Sequence, residues 1–188
     1  MRTDLNNLDA INIDEITDWY ETQYQAISFL YVYVKNNIYD NLGDKTFIDQ
    51  KFFSMNEDEI LEYFDFLRNE LNTMVSFNII ASIEAMVRMD FMNRAISRKM
   101  KDSLSKDLRK ISKSKGARIS LIEDIINTTL VHNRKIKIEI DRFKELYKFR
   151  HWLAHGRYWE MAVNNSFTIN EVFSITQDFL NSYPFLNK

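Results

Sequence analysis

The chain has 188 residues, enough for one domain with a sizeable core, and its 45% apolar and 14% aromatic content is that of a folding chain. It has no cysteine, which excludes disulfides, thiolate metal sites and cysteine nucleophiles, and only three glycines and one proline, which argues for long helices over a turn-rich β-protein. The net charge of −2 hides an asymmetry: residues 1–90 hold 17 acidic and 6 basic side chains, and residues 91–188 hold 10 and 19. Such a split suits either a polyanionic or acidic partner for the second half, or attraction between the halves within the fold.

Residues 1–13 read as a polar lead-in with no apolar signal segment, and the most apolar run, Ile27 to Val34, is far short of the ~20 residues a membrane span needs. The expectation is a cytoplasmic protein with no membrane contact. An amphipathic helix is predicted from Asp14, with Ile16, Trp19, Tyr20, Tyr24, Ile27, Leu30, Tyr31, Val34 and Ile38 on one stripe and Gly43 past its end. Ser54-Met55-Asn56-Glu57 has the form of a capping box, in which a hydroxyl accepts an amide and a Glu three residues on reaches back. No Gly or Pro occurs from Ser54 to Lys115, which predicts one very long helix or two nearly collinear ones, with residues 72–78 as the kink.

Residues 94–118 form a basic segment, with ten Lys and Arg against Asp102 and Asp107. It is either a polyanion contact, with Lys113, Lys115 and Arg118 at its exposed end, or a solvated helix face. Ser120 to Glu123 is a second capping box, opening a short helix to about His132. Another helix runs from about Lys137 to His155, with Gly156 at the position after its cap, and Thr168 to Glu171 opens a final short helix that stops before Pro184. The fold class expected is all-α, an up-and-down bundle with long core helices in a single domain spanning 1–188 and a core of about 55–182.

Residues 147–159 concentrate the chemistry-bearing types: His151, His155, Arg150, Arg157, Trp152, Tyr158 and Trp159. Arg150 follows Ile136, Ile140, Phe143, Leu146 and Tyr147 on what the spacing makes the buried stripe, where a guanidinium requires a partner. Glu84 is the matching misfit in the long helix, among Ile80, Ile83, Val87 and Phe91, so an ion pair between Glu84 and Arg150 is predicted where the helices cross. His155 lies five residues beyond Arg150, about 7.5 Å of rise and about 140° of rotation on an ideal helix. The helix end favours its protonated form and the neighbouring arginines oppose it. Arg150 and Arg157 can hold a phosphate, and Trp152, Tyr158 and Trp159 can stack bases. Two other readings stay open: a structural ion pair beside a helix-capping histidine, and a metal held by His151 and His155, for which no carboxylate stands at a motif distance.

The run Arg150-His151-Trp152-Leu153-Ala154-His155 resembles the R-x4–6-H motif of the HEPN superfamily, in which the residue after the Arg is commonly polar. Glu84 in its long helix, the basic connector and the order of helices over 55–182 are similar to that superfamily as well. The resemblance implies a metal-independent endoribonuclease with no cofactor, of bacterial toxin or phage-defence type, acting on RNA as a homodimer with a composite site and paired in some systems with an antitoxin protein. It implies Arg150 and His155 as the catalytic pair, with Glu84 and His151 supporting them. Related toxins carry a tyrosine two residues after the motif His; here that position is Arg157 and Tyr158 comes one later, so the resemblance does not carry control through that tyrosine. Members that bind RNA or protein without cutting also exist, which keeps a non-catalytic dimerisation module as the alternative.

Overall fold

The computed structural model describes residues 13–39, 48–97, 99–155 and 167–186. Among them are six α-helices and no strand, the all-α class expected from the sequence: α1 (Ile13–Ile38), α2 (Glu57–Ile96), α3 (Ser103–Lys115), α4 (Asn127–His132), α5 (Lys137–Ala154) and α6 (Ile169–Ser182). The described residues divide into two compact units, 13–75 and 76–186, and α2 contributes its first part to one and the remainder to the other.

The first unit is an antiparallel helical hairpin. Tyr20 donates to Asn72 (3.1 Å), the Tyr31 and Phe64 rings meet edge to face, and Lys35 pairs with Glu57 (2.6 Å), so α1 descends along α2 in opposite order. Its core is Val34, Ile48, Phe52, Ile60 and Phe64. Phe52 lies in a 3-10 turn, Gln50–Ser54, stacked on Phe64 at 5.7 Å. That anchoring keeps Ser54 in the turn and moves the helix start two residues on. The box is formed by Asn56 and Glu59, each side chain accepting the other's backbone N–H (2.9 and 2.7 Å), rather than by Ser54 and Glu57. The apolar stripe of α1 is also narrower than its periodicity predicts: Trp19, Tyr24 and Leu30 are exposed, because a hairpin covers only one side of each helix.

The helix α2 runs unbroken for 40 residues. Polar side chains around the expected kink stay within the helix by bonding back one turn, Thr73 to the Asn69 carbonyl and Ser82 to the Asn78 carbonyl (2.8 Å each). It does stop before the basic segment ends. Asp102 accepts the Ser105 N–H (2.8 Å) and starts α3 afresh, while Arg109 folds back to donate to the carbonyls of Arg94, Ser97 and Met100 at the end of α2.

In the second unit α3 and α4 are antiparallel, joined at one end by Ser103 and Asp107 to His132 and at the other by Lys115 to Asp124. A π-helical turn, Leu121–Ile126, leads into α4, and Ser120 caps it through the Glu123 N–H (3.2 Å). The reciprocal acceptor for the Ser120 N–H is Asp124 (2.8 Å). The helices α5 and α6 are antiparallel as well: Phe143 stacks on Phe179 at 4.2 Å, Arg142 pairs with Asp178, and Phe149 meets Phe167. Thr168 and Glu171 form the predicted capping box at the start of α6.

Two buried charges hold the end of this unit. Asp90 and Arg94, with side chains 5% and 6% exposed, pair at 2.7 Å. Arg94 also donates to the Ser105 hydroxyl and the Pro184 carbonyl, and Asp90 accepts the Leu186 N–H (2.8 Å). Tyr183, buried beside them, shares a 3.2 Å hydrogen bond with Thr129, and burial pushes its phenol up to about 12.

Replacing Arg94 with Met leaves Asp90 buried and unpaired, so the stability measured by urea denaturation is expected to fall by about 3–5 kcal/mol. The Tyr183 phenol is neutral in the fold and ionises near the ordinary value of 10 in the unfolded chain. Its contribution is therefore complete below pH 10 and lost as the pH rises towards 12. Denaturation midpoints of wild type and Tyr183→Phe across that range are expected to converge at the alkaline end.

Candidate functional site at the end of α5

The buried line on α5 runs through Ile140, Phe143, Leu146 and Phe149. Phe149, rather than Arg150, takes the last core position, held between Trp152 (5.9 Å) and Phe167 (5.5 Å). Arg150 falls one residue on, at the margin of the stripe, with a quarter of its side chain exposed. That corrects its expected burial and still leaves it facing α2. Its guanidinium lies 5.2 Å from the centre of the Phe77 ring, and its Nη2 is 3.6 Å from Glu84 Oε2. The predicted partners are thus brought together.

They do not form a closed pair. Arg88, one turn beyond Glu84 on α2, places both Nε and Nη2 at 2.9 Å from Glu84 Oε1. The distance from Arg150 to Oε2 exceeds a hydrogen bond, and neither Glu84 Oε2 nor Arg150 Nε, both buried, has a hydrogen-bond partner. Glu84 is one carboxylate between two guanidiniums, held tightly by one and electrostatically by the other.

The two histidines share a face of α5, their rings 6.4 Å apart and 12° from parallel. The edge of the pair is closed by Tyr147, which meets the His151 ring at 4.6 Å and 89°. Burial first, and then the Arg150 charge, push the His151 imidazole below its usual range, against the opposing pull of Glu84. A neutral imidazole there is a proton acceptor at neutral pH. Burial and then the Glu84 charge push the Tyr147 phenol up. His155 is the capping residue of α5, its N–H on the His151 carbonyl (3.2 Å), and its side chain is exposed. Glu84, Arg88, Arg150, Tyr147 and His151 therefore adjoin one another, and His155 meets the group through the His151 ring. Such a set can bind an anion and move a proton.

Of the other predicted site residues, Trp152 is half-buried against Phe149, and Arg157 and Tyr158 lie outside the described residues, as do Gly156 and Trp159. Lys113, Lys115 and Arg118 are exposed at the end of α3 and just beyond it, with Lys115 on the buried Asp124. The Lys115 hydrogen bond, aided by the Ser120 N–H, holds the Asp124 carboxyl below the usual range. Arg94 and Arg109 are internal: the first is buried and the second caps α2, so neither is free to meet a polyanion. Among the described residues no three His, Asp or Glu side chains gather as a metal site.

Sequence reasoning missed Arg88 and Tyr147, although the spacing of four from Glu84 to Arg88 is a readable signal on a helix. It also missed a hydrogen-bonded chain between α3 and α4. His132 Nε2 lies 3.0 Å from an Asp107 carboxylate oxygen, and its Nδ1 lies 3.1 Å from the Ser103 hydroxyl. A carboxylate only accepts, so Nε2 carries a proton, while Nδ1 and the Ser103 hydroxyl share the second hydrogen bond. The chain clamps the start of α3 to the end of α4.

Because Glu84 keeps Arg88 when Arg150 is removed, Arg150→Ala is expected to lower stability by only about 1–2 kcal/mol, well short of Arg94→Met. Paired urea titrations of the two variants test that order.

The chain was compared with protein-family models, with curated proteins and with solved structures, and nothing matches it in any of the three.

Proposed function

We propose that the chain is a HEPN-type endoribonuclease that needs no metal, with Arg150 and His155 as its catalytic pair. The observation that carries the reading is the approach of Arg150 to Glu84, beside His151 and His155 aligned on one face of α5. In this scheme Arg150 neutralises the scissile phosphate. The ribose 2′-hydroxyl attacks phosphorus, the 2′-oxygen–phosphorus bond forms, and the bond to the 5′-oxygen breaks. His155 accepts the proton of the 2′-hydroxyl or supplies one to the departing 5′-oxygen, and the product is a cyclic phosphate end. Glu84 and His151 orient the pair. Trp152, Arg157 and Tyr158 contact bases and backbone, and Lys113, Lys115 and Arg118 add phosphate contacts. A second copy of the chain completes a composite cleft, and a toxin or phage-defence role with an antitoxin partner accompanies this reading. No described helix is long and apolar enough to cross a membrane, in keeping with an RNA substrate in the cytoplasm.

A second reading, a non-catalytic module that binds RNA or protein and dimerises, is favoured by one observation. Arg94 and Arg109, two cations of the basic segment, serve the fold itself.

Incubation of total RNA with purified protein in EDTA separates the two. The nuclease reading expects cleavage with cyclic phosphate ends, lost by a factor of about 100 or more in Arg150→Ala and in His155→Ala, with helicity retained. Intact tRNA, mRNA and structured RNA after incubation in every buffer would sink it.

A further inference from the structure

Resting on the role proposed for Arg150, we infer that Arg88 is a positioning residue: it occupies Glu84, holds Arg150 off that carboxylate, and so keeps the Arg150 guanidinium available to an anion. Three observations meet here. Arg88 directs two donors at Glu84 Oε1, both at 2.9 Å, a grip set by the one-turn spacing on α2. Arg150 stands at 3.6 Å from the other oxygen, too far for a hydrogen bond, with its planar group over Phe77. Glu84 Oε2 and Arg150 Nε are both buried and have no hydrogen-bond partner.

A guanidinium and a carboxylate this close ordinarily shut into a two-point contact, since each buried orphan is costly. What opposes closure is the second guanidinium, which claims one carboxylate oxygen and repels Arg150. Glu84 thus tethers Arg150 without using up its donors. In the absence of Arg88, both carboxylate oxygens turn to Arg150, and the group that should meet phosphate is locked in an internal pair. Tyr147 lies along the same edge, where Glu84, Arg88 and Arg150 all act on its phenol.

The test compares wild type, Arg88→Gln and Arg88→Lys by the nuclear magnetic resonance signal of the Arg150 Nε proton, identified by its loss in Arg150→Lys. Closure onto Glu84 is expected to slow exchange of that proton with water by about tenfold in Arg88→Gln, the equivalent of one net hydrogen bond to a charged group, while Arg88→Lys stays near wild type. On RNA, the same Arg88→Gln change is expected to lower kcat by about tenfold with a smaller effect on KM, and Arg88→Lys to restore most of it. An Arg150 proton that exchanges identically in wild type and Arg88→Gln overturns the inference. Should wild type leave RNA intact while that proton still responds to Arg88, the nuclease reading fails and the positioning role stands. Should RNA be cut and the proton not respond, the positioning role fails and the nuclease reading stands.

Discussion

The Arg94 guanidinium joins the end of α2, the start of α3 through Ser105, and the tail after α6 through the Pro184 carbonyl. A buried charge tolerates little displacement, because each lost partner exposes a desolvated donor. Fixing the tail fixes where α6 ends. The Phe143–Phe179 stack then sets α5 against α6, and α5 carries Arg150, His151 and His155. The α5 residues of the candidate site thus stand on a helix pair whose tail is tied to α2 by an ion pair remote from them in sequence. The aromatic contacts along α5 and α6 supply area and the Asp90–Arg94 pair supplies register, a division of labour between non-directional and directional forces.

Two kinds of charge pairing coexist on α2. Asp90 and Arg94 are both buried, and each nitrogen of the guanidinium and each oxygen of the carboxylate has a hydrogen-bond partner. Glu84 and Arg88 use the same spacing of four, yet Arg88 stays 42% exposed and the neighbouring Arg150 remains incompletely satisfied. The difference lies in what surrounds them. Asp90 and Arg94 are enclosed by Ser105, Pro184 and Leu186, whereas Glu84 faces Arg150, which leans on an aromatic ring, with Tyr147 and His151 within reach of its charge.

Helix identity was legible because few breakers interrupt the chain and because caps are local: Thr168 with Glu171 is read from four residues and forms as read. The Glu84–Arg150 approach was legible because two charges on or beside apolar stripes draw each other. Three features were hidden for physical reasons. The cap at Asn56 depends on Phe52 packing against Phe64, which no local pattern reveals. The exposure of Trp19 and Leu30 on α1 depends on how many helices cover it, a property of the fold rather than of the stripe. Arg94 reads as one cation in a basic run, and only its contact with Pro184, 90 residues on, shows that it belongs to the interior.

That separation has a consequence for synthesis. The Asp90 carboxylate and the Leu186 amide that bonds to it are 96 residues apart. At ordinary elongation rates the interval between them is on the order of ten seconds. Through that time α2 carries a charge pair built for an apolar interior whose closing strap does not yet exist. Until then the residues of α2 have been made and the segment that seals the pair has not. The seal on this pair cannot form before Leu186 is made, however early the helices form.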